Sequence, residues 1–557
     1  CVAAAMAEEG SLHVWPLRGQ FRQYKHGSKL YTVQLDESGV TVTGDGEKQV
    51  VKVTDLVGCQ CQQEQQQRGN SAYFTLLAYP LTGGRKRTRL ALCFEVASGN
   101  TFSENLEVAN AWRRAVYHAV RNHGSSKPQV DHSKKILLFI NPNSGSGRAV
   151  QTYRKQVSTL LGEAEVSHEV LVTERASHAT DVVRTLDLTK YAGLVILSGD
   201  GLLFEVYNGL LARPDWEEAI QFPIGIIPGG SGNGLARSLA HWLREPYKAN
   251  PVLVSTLNVV YGHLSPLDLV MTETAKGKRI LSFLSVGFGL LSDIDIESER
   301  LRIIGESRFA VWAVARCANL RRYQATISFK RAVGAPVPAP LASSPVLQRS
   351  QTLQEGEGLP STNARHLSHS HSMQLQETKK EEEEACLDIL PSLVKVEDGA
   401  PEPVPEKAQE AQECGEECGE EQQQQEEGAK SEVLLPGLDE PVPDDWETIE
   451  DEFIMVHCSQ LTHISSDVLI APQATPDDGY LWLMMLRRSC PKTTIAKLLL
   501  GLDGRHLRYP GVEMVAVEAL RIVPGTSKGY LTVDGEVIPW TPIQSHVLHK
   551  RARIMTR

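Results

Sequence analysis
At 557 residues the chain is too long for one hydrophobic core, and 41% hydrophobic residues suffice for two or three domains joined by linkers. Its net charge of −11 misleads: residues 376–432 hold 19 acidic side chains against 5 lysines, leaving the rest at about +3, a balance that suits visits to anionic membrane surfaces and offers nothing for nucleic acid. No apolar run approaches the ~20 residues of a bilayer span, no signal-peptide pattern precedes Met6, and ten scattered cysteines without partners at zinc spacing are expected to be the reduced thiols of a cytosolic protein.

Residues 11–121 are expected to form a separate small α+β domain. Segments 21–24, 29–35, 40–44, 50–57, 73–80 and 89–96 are β-branched or aromatic runs between turn signals such as Glu37-Ser38-Gly39. Thr101 and Glu104 make a capping box that opens a helix to Arg121, carrying Leu106, Val108, Trp112, Val116 and Ala119. Strands closed by one helix with a central Trp resemble a pleckstrin-homology fold, which would dock on a membrane or partner; the alternative is a regulatory appendage without lipid affinity. The basic turn at 83–89 is a solvated hairpin tip, a reader of phosphoinositide headgroups or a nuclear import signal, the first being the commonest use of such a tip. Residues 122–133 read as a polar linker.

Between 134 and 260 three strand–loop–helix units follow one another. The strand at 136–140 runs into Asn141-Pro142-Asn143-Ser144-Gly145-Ser146-Gly147-Arg148. The apolar run Leu194–Leu197 runs into Ser198-Gly199-Asp200-Gly201, and Leu202, Leu203, Val206, Leu210 and Leu211 then recur at helical spacing. The strand at 222–227 ends at Pro228 and gives way to Gly229-Gly230-Ser231-Gly232-Asn233-Gly234. Such loops lie at the carboxyl ends of parallel strands, where open α/β sheets bind ligands. Glycine lets backbone approach a phosphate, and the helix N-terminus behind offers free N–H groups and a positive dipole end. Asp200, held between two glycines, is a base beside bound phosphates or a metal ligand; the first is preferred. Gly-x-x-x-x-Gly-Lys-Ser/Thr and Gly-x-Gly-x-x-Gly are both absent, which disfavours P-loop kinases and dinucleotide dehydrogenases.

These motifs, with Thr173-Glu174 and Glu205…Asn208-Gly209, resemble the diacylglycerol-kinase catalytic superfamily, and NAD kinases remain a distant competitor of similar fold. Ser198 before Gly-Asp-Gly and the acidic run Ser292-Asp293-Ile294-Asp295-Ile296-Glu297-Ser298-Glu299 look like sphingosine kinases, closest to the form with an N-terminal extension. The resemblance covers about 134–330 and 441–557. It implies an α/β nucleotide domain with a parallel sheet at 134–260 and an antiparallel β-sandwich-like lipid-binding domain at 261–330 and 441–557. It also implies ATP and Mg2+ as cofactors and a sphingoid base as substrate. Asp200 would be the catalytic base. Asn141, Pro142, Asn143, Ser144, Gly145, Thr173, Ser198, Gly199, Gly201, Glu205, Gly230, Ser231 and Gly232 would line the nucleotide. Glu299, Arg302, Arg308 and the returning Asp534-Gly535-Glu536 would join them, with Asp534 holding magnesium through water. Asp295 would bind the lipid's amine and hydroxyl. Ser285, Leu290, Leu291, Ile294, Phe309, Ile495, Leu499, Leu502 and His506 would line the lipid site. Asp293, Glu297 and Arg300 are expected on a solvated helical face with i,i+3 and i,i+4 ion pairs.

Past 261 the pattern turns antiparallel. A hairpin is expected from 267–272 and 279–286 around Ala275-Lys276-Gly277, and strands at 453–457, 468–472, 480–486, 512–517 and 530–533. A helix at 309–323 is a core helix walling the lipid pocket or, less favoured, the target of a calmodulin-like partner. Residues 331–440, rich in Pro, Ser, Gln and Glu, are expected to be a disordered acidic insertion leaving through one surface loop. Thr493–Leu502 reads as an apolar helix. Together these imply a lipid kinase making sphingosine 1-phosphate, cytoplasmic with peripheral membrane association and a nuclear pool, compatible with a homodimer. Ceramide or diacylglycerol as the lipid is the alternative within the class, and a catalytically idle lipid-binding scaffold the alternative outside it.

Overall fold
The structure is a computed structural model that describes residues 16–24, 29–44, 46–62, 70–123, 128–298, 312, 316, 319–336 and 435–557. Seven antiparallel strands begin it, in the spatial order Glu47–Lys52, Gly39–Gly44, Leu30–Asp36, Leu17–Gln23, Leu90–Val96, Ala72–Ala78, Leu56–Gln62. The run expected as one strand at 50–57 is two, split by a 3-10 turn over Val53–Asp55. The helix Phe102–Asn122 closes the sheet. Thr101 Oγ1 accepts from the Glu104 N–H at 3.2 Å as an N-cap, and the Glu104 carboxylate reaches past Thr101 to accept from the Asn100 N–H at 2.7 Å, one residue beyond the partner a capping box would use. Trp112 anchors the helix, fully buried, stacked on Phe74 at 5.3 Å and edge-on to Phe21 at 5.5 Å.

This N-terminal unit is not set apart as expected. Its core runs without a break from Phe21 and Trp112 through Leu56 and Val57 into Ile136, Val195, Leu257 and Met555. Polar contacts reinforce the seam. Tyr261 donates to Thr54 O, 2.6 Å away, and Tyr79 donates to Glu163 at 2.7 Å. The supposed linker joins in, with the Val130 N–H on Gly262 O at 2.9 Å.

Four parallel strands follow, in the order His168–Val172, Lys135–Ile140, Tyr191–Ser198, Ile224–Pro228. Every residue of Tyr191–Ser198 and Ile224–Pro228 is buried, as strands covered on both faces require. His168–Val172 escapes sequence reading because it is an edge strand whose apolar run is only Val170-Leu171-Val172.

The last strand, Ile543–Thr556, joins the two halves of the molecule. It pairs parallel to Ile224–Pro228 through Ile224 and Ile554, and antiparallel to His263–Thr274 along most of that strand's length. From there the sheet continues antiparallel through Val512–Pro524, Tyr323–Arg331, Glu447–Ser459 and Ser285–Gly289. The hairpin around Lys276 forms, with Met271 opposite Leu281. The expected strand at 279–286 breaks between Ser282 and Ser285, and that break has a function described below. The strand expected at 468–472 is a loop, its backbone spent on Thr462 and Leu502.

Candidate active site
The three glycine loops meet backbone to backbone. A Cβ on Gly230 would lie 2.3 Å from Gly199 Cα, and one on Gly145 2.7 Å from Gly229 O. Gly145 also takes a φ of +54°. No side chain fits at these crossings, which is the physical reason for glycine there. Ser144 ties the first loop to the second: its hydroxyl accepts from the Gly199 N–H and from the Ser198 hydroxyl, both at 3.1 Å. Asn141 accepts from the Asn143 N–H at 2.9 Å and so shapes its own turn. Asn233 likewise serves its loop, accepting from the Gly230 N–H and donating to Gly230 O.

Asp200 opens the helix Asp200–Leu211, but its carboxylate faces the start of a different helix, Gly234–Trp242. Its Oδ2 accepts from the Gly234 N–H at 2.6 Å and its Oδ1 from the Leu235 N–H at 3.4 Å. Burial pushes the carboxyl up to about 6, against the pull of those backbone donors. A group poised there is ionised at neutral pH yet basic enough to take a proton late in a transfer. Glu205, one turn on, holds a buried Oε2 without a hydrogen-bond partner. Thr173 is buried and returns its N–H to Ile140 O at 2.8 Å, closing the carboxyl edge of the sheet.

Asp534 sits in a nest. Its Oδ1 takes the Ser282 hydroxyl at 2.5 Å, the Leu284 N–H at 3.0 Å and the Ser285 N–H at 2.8 Å, while Oδ2 takes the Phe283 N–H at 3.0 Å. The strand breaks at Phe283-Leu284 because successive N–H groups must turn to one carboxylate instead of alternating. Desolvation pushes Asp534 up to about 6 as well. From this anchor the turn reaches both neighbours. A Cβ on Gly201 would lie 3.6 Å from Glu536 Oε1, and one on Gly535 would lie 3.3 Å from Asp295 Oδ2. The Asp534-Gly535-Glu536 turn thus lies beside both the Asp200 loop and Asp295.

Asp295 rides on the helix Leu290–Ser298, whose other flank corrects an expectation. Asp293 and Glu297 are not solvated; they are 1% and 6% exposed. Tyr323 donates to both oxygens of Asp293, at 2.7 and 2.8 Å. Glu297 takes Trp312 Nε1 at 2.8 Å and Arg321 at 3.0 Å, and is paired with Arg316. Burial alone would raise both acids. It does raise Asp293, while Arg316, Trp312 and Arg321 hold Glu297 below the usual carboxylate range. The partners come from the segment after the acidic run, which spacing within the run could not reveal.

The apolar residues expected around the lipid come together. Leu290, Ile294, Ile495, Leu498 and Leu502 share one buried cluster with Ile454, Trp482 and Met484, and Leu291 and Leu499 pack against it. His506 is fully buried with Nε2 2.9 Å from Ile470 O, and burial lowers its pKa. Phe288 packs instead in the sandwich core against Tyr323, Phe453 and Trp540. Glu299, Arg300, Arg302, Arg308 and Phe309 lie outside the described residues, as do most of the helix expected at 309–323 and most of the insertion, 337–434. The insertion's ends are described. Phe329 pairs with Glu447 on adjacent antiparallel strands, and Pro436, Gly437 and Glu440 dock on Arg521.

Glycine loops at the carboxyl edge of a parallel sheet, a buried aspartate among them and an antiparallel half that brings Glu536 beside Gly201 are the frame of a kinase of the diacylglycerol-kinase type. Residues 135–271 match the diacylglycerol kinase catalytic domain, and residues 444–556 match the YegS C-terminal NAD kinase beta sandwich-like domain. Human sphingosine kinase 2 is 31% identical over 89% of this chain and 83% of its own length. Human sphingosine kinase 1 is 32% identical over 74% of this chain and 88% of its own. Sphingoid long chain base kinase 5 of Saccharomyces cerevisiae is 27% identical, covering 76% of this chain and 59% of that protein. The chain belongs to the sphingosine kinase family. It is a lipid kinase, and as a kinase it uses ATP. Among the described residues no helix is long and apolar enough to cross a membrane.

Proposed function
We propose that this kinase transfers the γ-phosphoryl group of ATP to the primary hydroxyl of sphingosine and related sphingoid bases, forming sphingosine 1-phosphate. The observation that carries the substrate is the setting of Asp295: a carboxylate beside the Asp534-Gly535-Glu536 turn, on the helix whose Leu290 and Ile294 enter the apolar cluster with Leu498. A cationic amphiphile needs that order of groups. The amide of ceramide and the esters of diacylglycerol bring no positive charge to it. The names of the human and yeast relatives agree with this choice.

In this reading the hydroxyl oxygen forms a bond to the γ-phosphorus as the bond to the β,γ-bridging oxygen breaks, and Asp200 takes the hydroxyl proton. Positioning and charge neutralisation do most of the work in such a transfer. Loops 141–147, 199–201 and 230–232 would cradle the phosphates, and the unpartnered Glu205 Oε2 is an acceptor for a nucleotide hydroxyl. Arg302 and Arg308 would supply guanidinium forks to the transferring phosphate. Magnesium fits the donors present: Asp534 Oδ2 has a single hydrogen bond, and Glu536 lies beside Gly201. A cation held by one or two carboxylates and the nucleotide's own phosphates is the usual magnesium arrangement. It would neutralise charge on those phosphates.

The test is transfer of labelled γ-phosphate to sphingosine, ceramide and diacylglycerol, with Asp200→Asn and Asp295→Asn beside the parent. Labelling of sphingosine alone, lost in the first variant and weakened chiefly in KM by the second, is expected. Equal labelling of diacylglycerol would overturn the substrate.

A further inference from the structure
A cavity of about 230 Å³ opens where the two-stranded hairpin Leu81–Thr82 and Lys86–Arg87 meets the helix Gly234–Trp242 and the loop after it. Arg85, Arg237, Glu245, Tyr247 and Lys248 line it, from a hairpin, a helix and a loop. The single acid is already committed. Glu245 takes two bonds from Arg87, at 2.6 and 2.7 Å, and faces Arg557 at 3.4 Å. That leaves three cations, none of them ion-paired with another described residue: Arg85 and Lys248 are exposed, and Arg237 is half-buried. Like charges gathered in one concavity repel unless an anion is shared.

Arg237 is the most telling of the three. Its guanidinium lies over the Tyr247 ring, 5.4 Å from the centroid, which fixes its plane. Its Nε–H is buried and without a hydrogen-bond partner. Asp467 contributes attraction but makes no ion pair with it, and burial weakens its hold on its proton. A guanidinium stacked on a ring and paired with no carboxylate is pre-organised for the oxygens of a phosphate.

We propose that this cavity binds a phosphate-bearing anion, held between Arg85, in the turn of the hairpin at 81–87, and Arg237 and Lys248 of the nucleotide half, separately from the phosphates being transferred. Such a ligand would bridge the N-terminal unit to the helix whose first N–H holds Asp200, so its occupancy bears on the catalytic loop. The anion is either a soluble phosphoester or the headgroup of a phospholipid, and the two share the chemistry these cations recognise.

The experiment titrates pyrophosphate calorimetrically into the full chain with the phosphate loops saturated by a non-hydrolysable ATP analogue. One equivalent is expected to bind, weakened about tenfold or more in Arg237→Met and in Lys248→Met, as loss of a charge-assisted bond predicts. Lys248 is exposed, so its variant keeps the fold even should Arg237→Met not. Equal binding by the parent and both variants, or none by the parent, overturns the proposal. Vesicles of phosphatidylcholine with and without phosphatidic acid then separate the sources: retention competed by pyrophosphate and lost in Lys248→Met identifies a headgroup, and no retention assigns the site to a soluble anion.

Discussion
At the scale of single residues, Asp200 and the glycines around it carry the sharpest consequences. Burial holds Asp200 up to about 6, and the base must be ionised to act, so activity falls as pH drops through that value. A kcat/KM profile with an acid limb near 6, in place of the ordinary aspartate range, is expected, and Asp200→Asn should remove the limb and about 10²–10⁴-fold of the rate. Gly230→Ala drives a methyl into Gly199, 2.3 Å from its Cα, and neither backbone can yield without moving a phosphate loop. A loss of about 100-fold in kcat/KM is expected with a nearly unchanged melting temperature, because the displacement is local. The close crossing at Gly230 was legible in the sequence, since glycines bunched after a strand announce a tight approach of backbone. The same reading failed at Asp293 and Glu297. A short acidic run has the spacing of a solvated face, and only the later Tyr323, Arg316 and Arg321 make it an interior network.

At the scale of elements, that network clamps the helix that presents Asp295. Tyr323→Phe strips Asp293 of both its phenol bonds while leaving it buried, and should cost about 1–3 kcal/mol in urea unfolding. Lipid KM should rise with it and ATP KM should not, which separates a tilt of the Asp295 helix from general loosening. The Asp534 nest shows the same limit of sequence reading in another form. A strand at 279–286 is a fair inference from apolar alternation, but three consecutive N–H groups turn to one carboxylate more than 240 positions later, and no local pattern contains that acid. The edge strand His168–Val172 was hidden for a different reason: its apolar run is only Val170-Leu171-Val172, and none of its residues is fully buried.

At the scale of the whole molecule, the N-terminal unit is wedded to the nucleotide half by a buried charge cluster. Arg87 bridges Asp55 at 2.9 Å and Glu245 at 2.6 Å, and Arg557 meets the same two acids. Of the basic stretch at 83–89, Arg87 is therefore spent internally, while Arg89 pairs with Glu163 at 2.7 Å and keeps about half its side chain exposed. Arg87→Met leaves both acids to Arg557 alone and is expected to cost up to about 3 kcal/mol, read as a lower denaturant midpoint. The insertion behaves differently. Residues 329 and 447 are paired neighbours, so replacing 337–434 by a short flexible loop should keep both the melting temperature and the turnover of sphingosine within about twofold.

The sequence by itself determined three glycine loops after apolar strands, with Asp200 in one of them, because a tight strand–loop–helix turn leaves a short-range signature. Leu290, Ile294, Ile495 and Leu502, which the family resemblance put together, do share one buried cluster. Tertiary structure alone decided what joins these parts. The strand Ile543–Thr556, too rich in His, Lys and Arg to read as a central strand, links the parallel and antiparallel halves, and the N-terminal sheet merges its core with theirs. Such pairings are settled by burial between segments hundreds of residues apart, where hydrogen-bonding need and apolar area are satisfied by whatever partner the fold brings, not by any periodicity within the strand.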